Sequence, residues 1–255
     1  MSQATANRLI ALPGAVLAFS AALMGGPDEM IEMPVPTFLI EHPKGLVLFD
    51  TGCNPKIVEE GSRYVGGGLE SLEIRFSRDD VVDAQLRHHG YQPAQVKYVV
   101  LSHGHFDHAG GLAMFPDAQF FAIRGELPNA LWPDGDRRGF VFDEIAPARN
   151  FKWTEPDADL DLFGDGSLLM LKTPGHTPGE CSLVVRLKNQ TVILTGDTLH
   201  TRAQLQTLAP LAGDHDPQQA SESIRRLAAM ERSGDVRLWI NHDAGDWASY
   251  PHTLE

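Results

Sequence analysis

The segment LSHGHFDHAGG, residues 101–111, limits the fold of this chain more than any other. It includes the end of the apolar run VKYVVL, whose length and valine content predict a buried strand. Three histidines and one aspartate crowd into positions 103–108, and they are His103, His105, Asp107 and His108. Polar loops at the ends of rigid strands are common places for chemistry. The chain is therefore expected to form a functional site at the edge of a sheet.

Imidazole and carboxylate groups are the ligands that zinc and other borderline first-row cations prefer. In an extended loop, His103 and His105 point the same way because Gly104 separates them. Asp107 and His108 lie beyond the bend. This geometry predicts two facing cations, one on each pair of side chains. Neither set of ligands is complete, so more are expected downstream.

Three further candidate ligands each follow an apolar strand. They are His176 in TPGHTPGE, Asp197 in LTGDT and His242 in LWINHD. An aspartate between two cations shares its charge with both, so Asp197 is expected to bridge them. Singly, such residues are commonly ordinary loop histidines or turn aspartates. Their joint occurrence at successive strand ends favours a metal site.

Strand-like and helix-like segments alternate, and no repeat, low-complexity tract or charged linker divides the chain. One domain over residues 1–255 is therefore expected.

A helix should begin at Asp216, which can cap it, with Pro217 in the first position and an apolar stripe at 220, 224, 227 and 228. Strands are expected at 35–41, 45–52, 96–101, 119–124, 167–175, 181–187, 191–197 and 236–241, and helices at 77–89 and from the motif to about residue 115.

Residues 9–24, LIALPGAVLAFSAALM, allow two interpretations. After Arg8 they could form the apolar region of a signal peptide. Pro13 and Gly14 divide them, however, and this favours a pair of strands, 8–12 and 15–23, joined by a turn. The segment is too short to span a membrane, so no membrane association is expected.

The net charge of −13, from 34 acidic and 21 basic residues, opposes binding to a phosphate backbone. Nucleic acid is therefore not expected as a partner. Cys53 and Cys181 are too few for a disulfide framework and form no Cys-x-x-Cys pair. They fit a reducing cytoplasm and are expected to pack as small buried side chains.

These motifs resemble the metallo-β-lactamase superfamily. Its His-x-His-x-Asp-His motif is matched by residues 103–108, and the remaining family ligands are matched in order by His176, Asp197 and His242. Within the superfamily the chain is most similar to the N-acyl homoserine lactone lactonases. That likeness covers nearly the whole chain, through PVPTFLIEHPKGLVLFDTG, SHGHFDHAGG, TPGHTPGECSL, LTGDT and GDHDPQQASESIRRL.

The resemblance implies an α/β fold of the αββα sandwich type, with two zinc ions, or other divalent first-row cations, at one edge. It implies a small-molecule lactone as substrate, a role in quorum quenching, and leaves a homodimer open. Asp50, at the end of LVLFD, matches a family aspartate that supports a ligand from behind; alternatively it is a turn cap. The implied ligands are His103, His105 and His176 on the first cation, Asp107, His108 and His242 on the second, and Asp197 between them.

The sequence departs from the lactonases at His200, where they usually carry a tyrosine that donates to the substrate carbonyl. A neutral imidazole donates from one nitrogen only, so His200 is expected to keep this role if its N–H points correctly. The alternative is a solvated loop histidine.

The expected mechanism is attack on a lactone carbonyl by a hydroxide held between the two cations. His200 would assist the oxyanion, and Asp107 would carry the proton to the leaving alkoxide. Residues 23–34, 62–76 and 128–142, near Met33, Tyr64, and Trp132 with Phe140, are expected either to line an acyl pocket or simply to pack.

Two alternatives stay open. One is another hydrolase of the superfamily, acting on esters, thioesters or phosphotriesters, because hydroxide does not choose its electrophile. The other is a metal-binding module without catalysis. An oxygen-reducing di-iron protein is disfavoured because that branch usually carries glutamate where this chain has His105.

Overall fold

A computed structural model describes residues 4–132 and 138–255 of the protein, in which strands and helices alternate. The strands are β1 Arg8–Leu12, β2 Val16–Ser20, β3 Met30–Pro34, β4 Thr37–His42, β5 Gly45–Phe49, β6 Glu73–Arg75, β7 Val96–Val100, β8 Gln119–Phe121, β9 Lys152–Thr154, β10 Leu160–Asp161, β11 Leu168–Lys172, β12 Cys181–Arg186, β13 Thr191–Leu194, β14 Arg237–Trp239 and β15 Thr253–Leu254. The α-helices are α1 Ile57–Glu60, α2 Ser62–Val65, α3 Val82–His88, α4 Phe106–Ala109, α5 Glu126–Leu131, α6 Phe142–Ala148, α7 Gln204–Thr207, α8 Pro217–Arg232 and α9 Ala244–Ser249.

The described strands form one large sheet, one medium sheet and one small sheet. The large sheet has the order β15-β1-β4-β5-β7-β8-β9, and its pairs from β5 to β9 are parallel. The medium sheet has the order β10-β11-β12-β13-β14, and only its last pair is parallel. The small sheet has the order β3-β2-β6.

Both faces of the large sheet are buried, which explains why its strands read as continuous apolar runs. Successive side chains of a strand point to opposite faces. Phe38 and Ile40 of β4 pack with Leu183 of the medium sheet, whereas Leu39 packs on the outer face with Leu86 of α3. Apolar residues of α8 cover the other side of the medium sheet. The two sheets thus lie face to face between helices, and the predicted αββα sandwich is confirmed.

The helix expected at Asp216 is confirmed together with its cap. The Asp216 carboxylate accepts the backbone N–H groups of Gln218 and Gln219, each at 3.0 Å, and Pro217 occupies the first helical position. Its predicted apolar stripe is buried and consists of Ala220, Ile224, Leu227 and Ala228. No helix within 4–132 or 138–255 combines the length and hydropathy that are needed to cross a bilayer.

The N-terminal segment forms strands, as expected, but β1 and β2 do not pair with each other. β1 joins the large sheet beside β4, and β2 joins the small sheet beside β3. The turn between them is held by the residue that follows β3: Val35 N–H donates to the Ala15 carbonyl at 2.8 Å. A Cβ on Gly14 would overlap the carbonyl oxygen of Val35, so glycine allows this close crossing.

The predicted motif helix is wrong in length, because α4 ends at Ala109 instead of reaching residue 115. The carbonyl of His108, which a longer helix would use, accepts both the backbone N–H of Thr51 at 2.8 Å and its hydroxyl at 2.9 Å. The helix expected at 77–89 is also interrupted, since Val81 has an extended backbone with ψ of 138°. It comprises a 3-10 turn, Arg78–Asp80, followed by α3.

Candidate active site

The seven predicted ligands meet at one edge of the sandwich, just beyond the strands that carry them. One group of donor atoms comes from His103, His105, His176 and Asp197, and the other from Asp107, His108 and His242. Within each group all donor atoms lie within 4.8 Å of one another. The two sheets are tied together here by the Cys181 N–H, which donates to the Ser102 carbonyl at 3.1 Å.

The first cluster centres on Nδ1 of His105. This atom lies 2.9 Å from Nε2 of His103 and 3.1 Å from Nε2 of His176. Oδ2 of Asp197 lies 3.8 and 3.5 Å from those same two Nε2 atoms. Burial and neighbouring imidazoles lower the pKa of His103 and His105 well below the ordinary value, so both rings are neutral and able to act as ligands.

The second cluster faces the other oxygen of Asp197. Nε2 of His108 and Nε2 of His242 are 3.2 Å apart, and each lies 3.7 Å from Oδ2 of Asp107. Oδ1 of Asp197 is 3.2 Å from His108 Nε2 and 3.0 Å from His242 Nε2. One oxygen of the Asp197 carboxylate therefore faces each cluster, which is the arrangement that a bridging ligand requires.

In three of the histidines Nδ1 faces away from the site, and its hydrogen-bond partner fixes the tautomer of the ring. Nδ1 of His108 lies 2.8 Å from Asp50, Nδ1 of His242 lies 2.7 Å from the Pro34 carbonyl, and Nδ1 of His176 lies 3.0 Å from Asp214. Carbonyl and carboxylate oxygens only accept, so these nitrogens carry the N–H. In the neutral form of each ring, Nε2 consequently points a lone pair into the site, as in many metal-binding histidines.

The clusters thus place acceptor atoms against one another. Oδ1 of Asp197 is buried and, among residues 4–132 and 138–255, has no hydrogen-bond partner. Two lone-pair nitrogens, from His108 and His242, lie within 3.2 Å of it. Acceptors this close repel unless a positive charge lies between them. The residues fit divalent cations, and the mixed nitrogen and oxygen donors suit zinc.

Asp50 contacts Nδ1 of His108, on the side of the ring that faces away from the two clusters, which is the position that the resemblance implies. It is fully buried; Oδ1 accepts the Ser102 N–H at 2.7 Å, and Oδ2 accepts from His108. Its φ of 64° is in the left-handed region, which is strained for a residue other than glycine. This backbone turn at the end of β5 directs the carboxylate to Ser102 and His108.

His200 is buried, so the solvated alternative does not describe it. Its Nε2 lies 2.9 Å from Oδ2 of Asp197, and its ring lines the cavity beside the clusters. Burial lowers the pKa of His200 despite the neighbouring Asp197, so the ring is neutral and has one N–H to donate. The position is compatible with the predicted role.

An apolar cavity of about 190 Å³ opens beside the two clusters. As expected, Met33 lines it; in the second predicted segment Leu69 and Leu72 do so instead of Tyr64. In the third segment Arg138 and Gly139 line it, whereas Trp132 is 78% exposed and residues 133–137 lie outside the described part of the chain. Leu23 and Met24 of the first predicted segment also line it, whereas sequence reasoning missed the remaining apolar lining, which is Leu17, Phe19, Phe106 and Leu211.

A second, more polar cavity of about 390 Å³ lies on the other side of His105 and His176. Phe140, expected in the acyl pocket, lines this cavity, and its ring packs against His105 with centroids 4.4 Å apart. Sequence reasoning also missed three buried carboxylates that support the ligands. They are Glu126, Glu180 and Asp214, which are isolated acidic residues without a recognisable spacing.

Comparison with known proteins agrees with this geometry. The family model of the metallo-beta-lactamase superfamily matches residues 30–238. The chain belongs to the metallo-β-lactamase superfamily. Within it the chain groups with the N-acyl homoserine lactonases: it is 34% identical to the N-acyl homoserine lactonase AttM of Azorhizobium caulinodans over 227 residues, which cover 86% of this chain and 85% of that protein.

Two further members of the superfamily support this grouping. The N-acyl homoserine lactonase AiiA of Bacillus thuringiensis subsp. kurstaki is 30% identical over 219 residues, covering 85% of this chain and 84% of AiiA. A 1.4 Å structure of an N-acyl homoserine lactone hydrolase, with the product N-hexanoyl-L-homoserine at its catalytic metal centre, superposes with a TM-score of 0.86. That protein is 26% identical, and the superposition covers 97% of each chain.

Proposed function

We propose that this protein is a metal-dependent lactonase that opens the ring of N-acyl homoserine lactones. The observation that carries the proposal is the pair of donor clusters, joined by Asp197 and facing an apolar cavity. The names of its relatives, N-acyl homoserine lactonases at 30–34% identity, support the substrate class.

The two clusters would hold one cation each, with zinc the first choice. His103, His105 and His176 would bind the first, Asp107, His108 and His242 the second, and Asp197 both. Bound there, divalent cations would lower the pKa of water and offset negative charge on a carbonyl oxygen. The side chains supply the remaining steps.

Asp107 is placed to move the proton. It is 7% exposed, and its carboxylate both belongs to the second cluster and lines the apolar cavity. It would accept the proton of the attacking water and pass it to the ring oxygen as the ring C–O bond breaks. A new C–O bond forms at the carbonyl carbon, so the product is an N-acyl homoserine.

His200 would donate its N–H to the carbonyl oxygen of the substrate. In the structure that N–H is directed to Asp197, at 2.9 Å from Oδ2. A neutral imidazole has only one N–H, so holding Asp197 and assisting the substrate are exclusive uses of the ring. The cavity that His200 lines would receive the acyl chain against its apolar wall.

A ring-opening assay combined with metal counting tests the proposal. The panel contains N-acyl homoserine lactones of four to twelve carbons, aromatic lactones, aryl esters, thioesters and phosphotriesters. We expect two cations per chain and the highest kcat/KM on an N-acyl homoserine lactone. A higher value on a phosphotriester or thioester would favour another hydrolase of the superfamily. Two bound cations with no hydrolysis at all would favour a binding module.

A further inference from the structure

Glu126, the first residue of α5, is a buried carboxylate outside the two donor clusters. Its side chain is completely inaccessible to solvent. Oε1 accepts the backbone N–H of Gly104 at 2.8 Å. Oε2 accepts the hydroxyl of Thr177 at 2.7 Å and the backbone N–H of Gly179 at 3.1 Å. A carboxylate accepts up to four hydrogen bonds, so three donors use most of its capacity.

The donors belong to two loops that both carry ligands of the first cluster. Gly104 lies between His103 and His105, and Thr177 directly follows His176. Neither Gly104 nor Thr177 is part of a helix or strand, so no ladder of backbone hydrogen bonds fixes them. The contact between the loops is nevertheless close, with His105 Nδ1 and His176 Nε2 only 3.1 Å apart.

We propose that Glu126 is a positioning residue for the first cation, and that it acts by tying the His103–His105 loop to the His176 loop. The backbone of the His176 loop lies in close contact with the start of α5, because a Cβ on Gly179 would lie 2.7 Å from the backbone nitrogen of Glu126. The inference depends on the cation site of the proposed function but not on the identity of the substrate.

The chemistry of the three donors requires a carboxylate. In an E126Q variant the amide NH2 must face either Gly104 N–H or the pair formed by Thr177 and Gly179. Either orientation sets a donor against a donor and leaves one buried N–H unsatisfied. The change keeps the volume of the side chain, so it alters the tie between the loops without opening a cavity.

Metal titration of the apo protein tests this role. Zinc is titrated into wild type and E126Q in competition with a chromophoric chelator, and the data are fitted to two dissociation constants. Residues that orient metal ligands typically contribute about 10–100-fold to affinity, so one constant should rise by that factor in E126Q. The other should change less than about threefold. Catalytic activity does not enter this measurement.

Cobalt spectra identify which site has weakened. The visible bands of Co²⁺ report its coordination, and the variants H176A and H242A assign bands to the first and second clusters. E126Q should lose or shift the bands that H176A alters and keep those that H242A alters. The matched control is E144Q: Glu144 is also buried, at 3% exposed, and makes no hydrogen bond to either ligand loop in the described part of the chain. Both constants of E144Q should stay within about threefold of wild type.

A second variant covers the case in which E126Q does not fold. T177V removes one of the three donors and keeps the side-chain shape, so the same constant should rise by about threefold to tenfold. The inference is overturned if E126Q or T177V folds but leaves both constants unchanged, or if both sites weaken equally. It is also overturned if E144Q reproduces the selective loss. Wild-type protein that binds no cation would overturn the proposed function as well, which separates the two failures.

Discussion

Asp83 and Asp197 are both buried carboxylates, but they are neutralised in different ways. Asp83 is 7% exposed and is bonded to Arg78 at 2.6 and 2.7 Å and to Arg87 at 2.7 Å. The Arg78 guanidinium, with Arg87, holds the pKa of Asp83 at about 2. Asp197 is 5% exposed and faces the ring nitrogens of five imidazoles.

The difference lies in where the positive charge comes from. Burial would raise the pKa of Asp197, and only positive charge close to its oxygens brings that pKa well below its usual range. Adjacent imidazolium rings would repel one another, whereas a bound divalent cation supplies the charge without that repulsion. Asp83 is thus compensated by its own chain, whereas Asp197 is placed to be compensated by a bound cation.

The largest expected effect is that of D197N. An amide in place of the Asp197 carboxylate removes the charge that faces both clusters, so kcat/KM should fall by about 10³-fold or more and both cations should bind more weakly. The corresponding D83N variant should keep its activity within about twofold. Steady-state assays with parallel metal analysis make the comparison. Full metal content in D197N would show that Asp197 does not bridge.

Removing the cations should destabilise the protein in a way that does not depend on Asp83. At free zinc about 1,000 times the dissociation constant, binding stabilises the folded state by about 4 kcal/mol. Urea unfolding with zinc and with chelator should show this loss equally in wild type and D83N. In D197N the difference between the two conditions should nearly vanish. Equal stability of wild type with and without zinc would contradict the contrast between the two carboxylates.

Substitution of Asp107 should affect proton transfer more than metal binding. D107N keeps an oxygen donor and the shape of the side chain but cannot accept the proton, so kcat should fall by about 10²-fold or more. Most of the metal should be retained, unlike in D197N. The control is the metal content of the same preparation, and unchanged kcat with full metal would exclude Asp107 as the proton carrier.

His200 should have a smaller effect. Loss of one hydrogen bond to the carbonyl oxygen in H200F should lower kcat about tenfold, whereas H200Y, which restores a donor, should recover part of that loss. If His200 instead serves only to hold Asp197, H200F should weaken metal binding as well as lower kcat. Zinc titration of the two variants distinguishes these outcomes.

The clustering of the seven candidate ligands could be predicted because its signal is local. His103 to His108 are contiguous, and His176, Asp197 and His242 each follow an apolar strand whose end fixes their place. The cap at Asp216 is equally local. Such features depend on residue type and short spacing, which a sequence displays directly.

Other features could not be predicted because they depend on distant contacts. The length of α4 is set by Thr51, which takes the His108 carbonyl from 57 positions away. The alternation of apolar and polar side chains along β2 indicates which of them share a face. It does not indicate that β2 pairs with β3 in the small sheet and not with β1. Glu126 acts only through loops brought to it by the fold.

The smallest expected effect is that of D83N on stability. The folded pKa of Asp83, about 2, lies below the unfolded value of 3.8, so the charged form stabilises the fold above that unfolded value. This contribution should be lost as the pH falls from about 4 to 2. Because the side chains of Arg78 and Arg87 are 57% and 48% exposed, screening limits it to about 1 kcal/mol.

Chemical unfolding of chelated wild type and D83N between pH 2 and 7 measures that contribution, since chelation removes any effect of cations released by acid. D157N is the matched control, because the Arg124–Asp157 pair is 61% and 73% exposed and should contribute less than about 0.5 kcal/mol at any pH. A stability difference for D83N that persists undiminished at pH 2 would mean that Asp83 stabilises α3 by packing and not by charge, and the contrast with Asp197 would then fail.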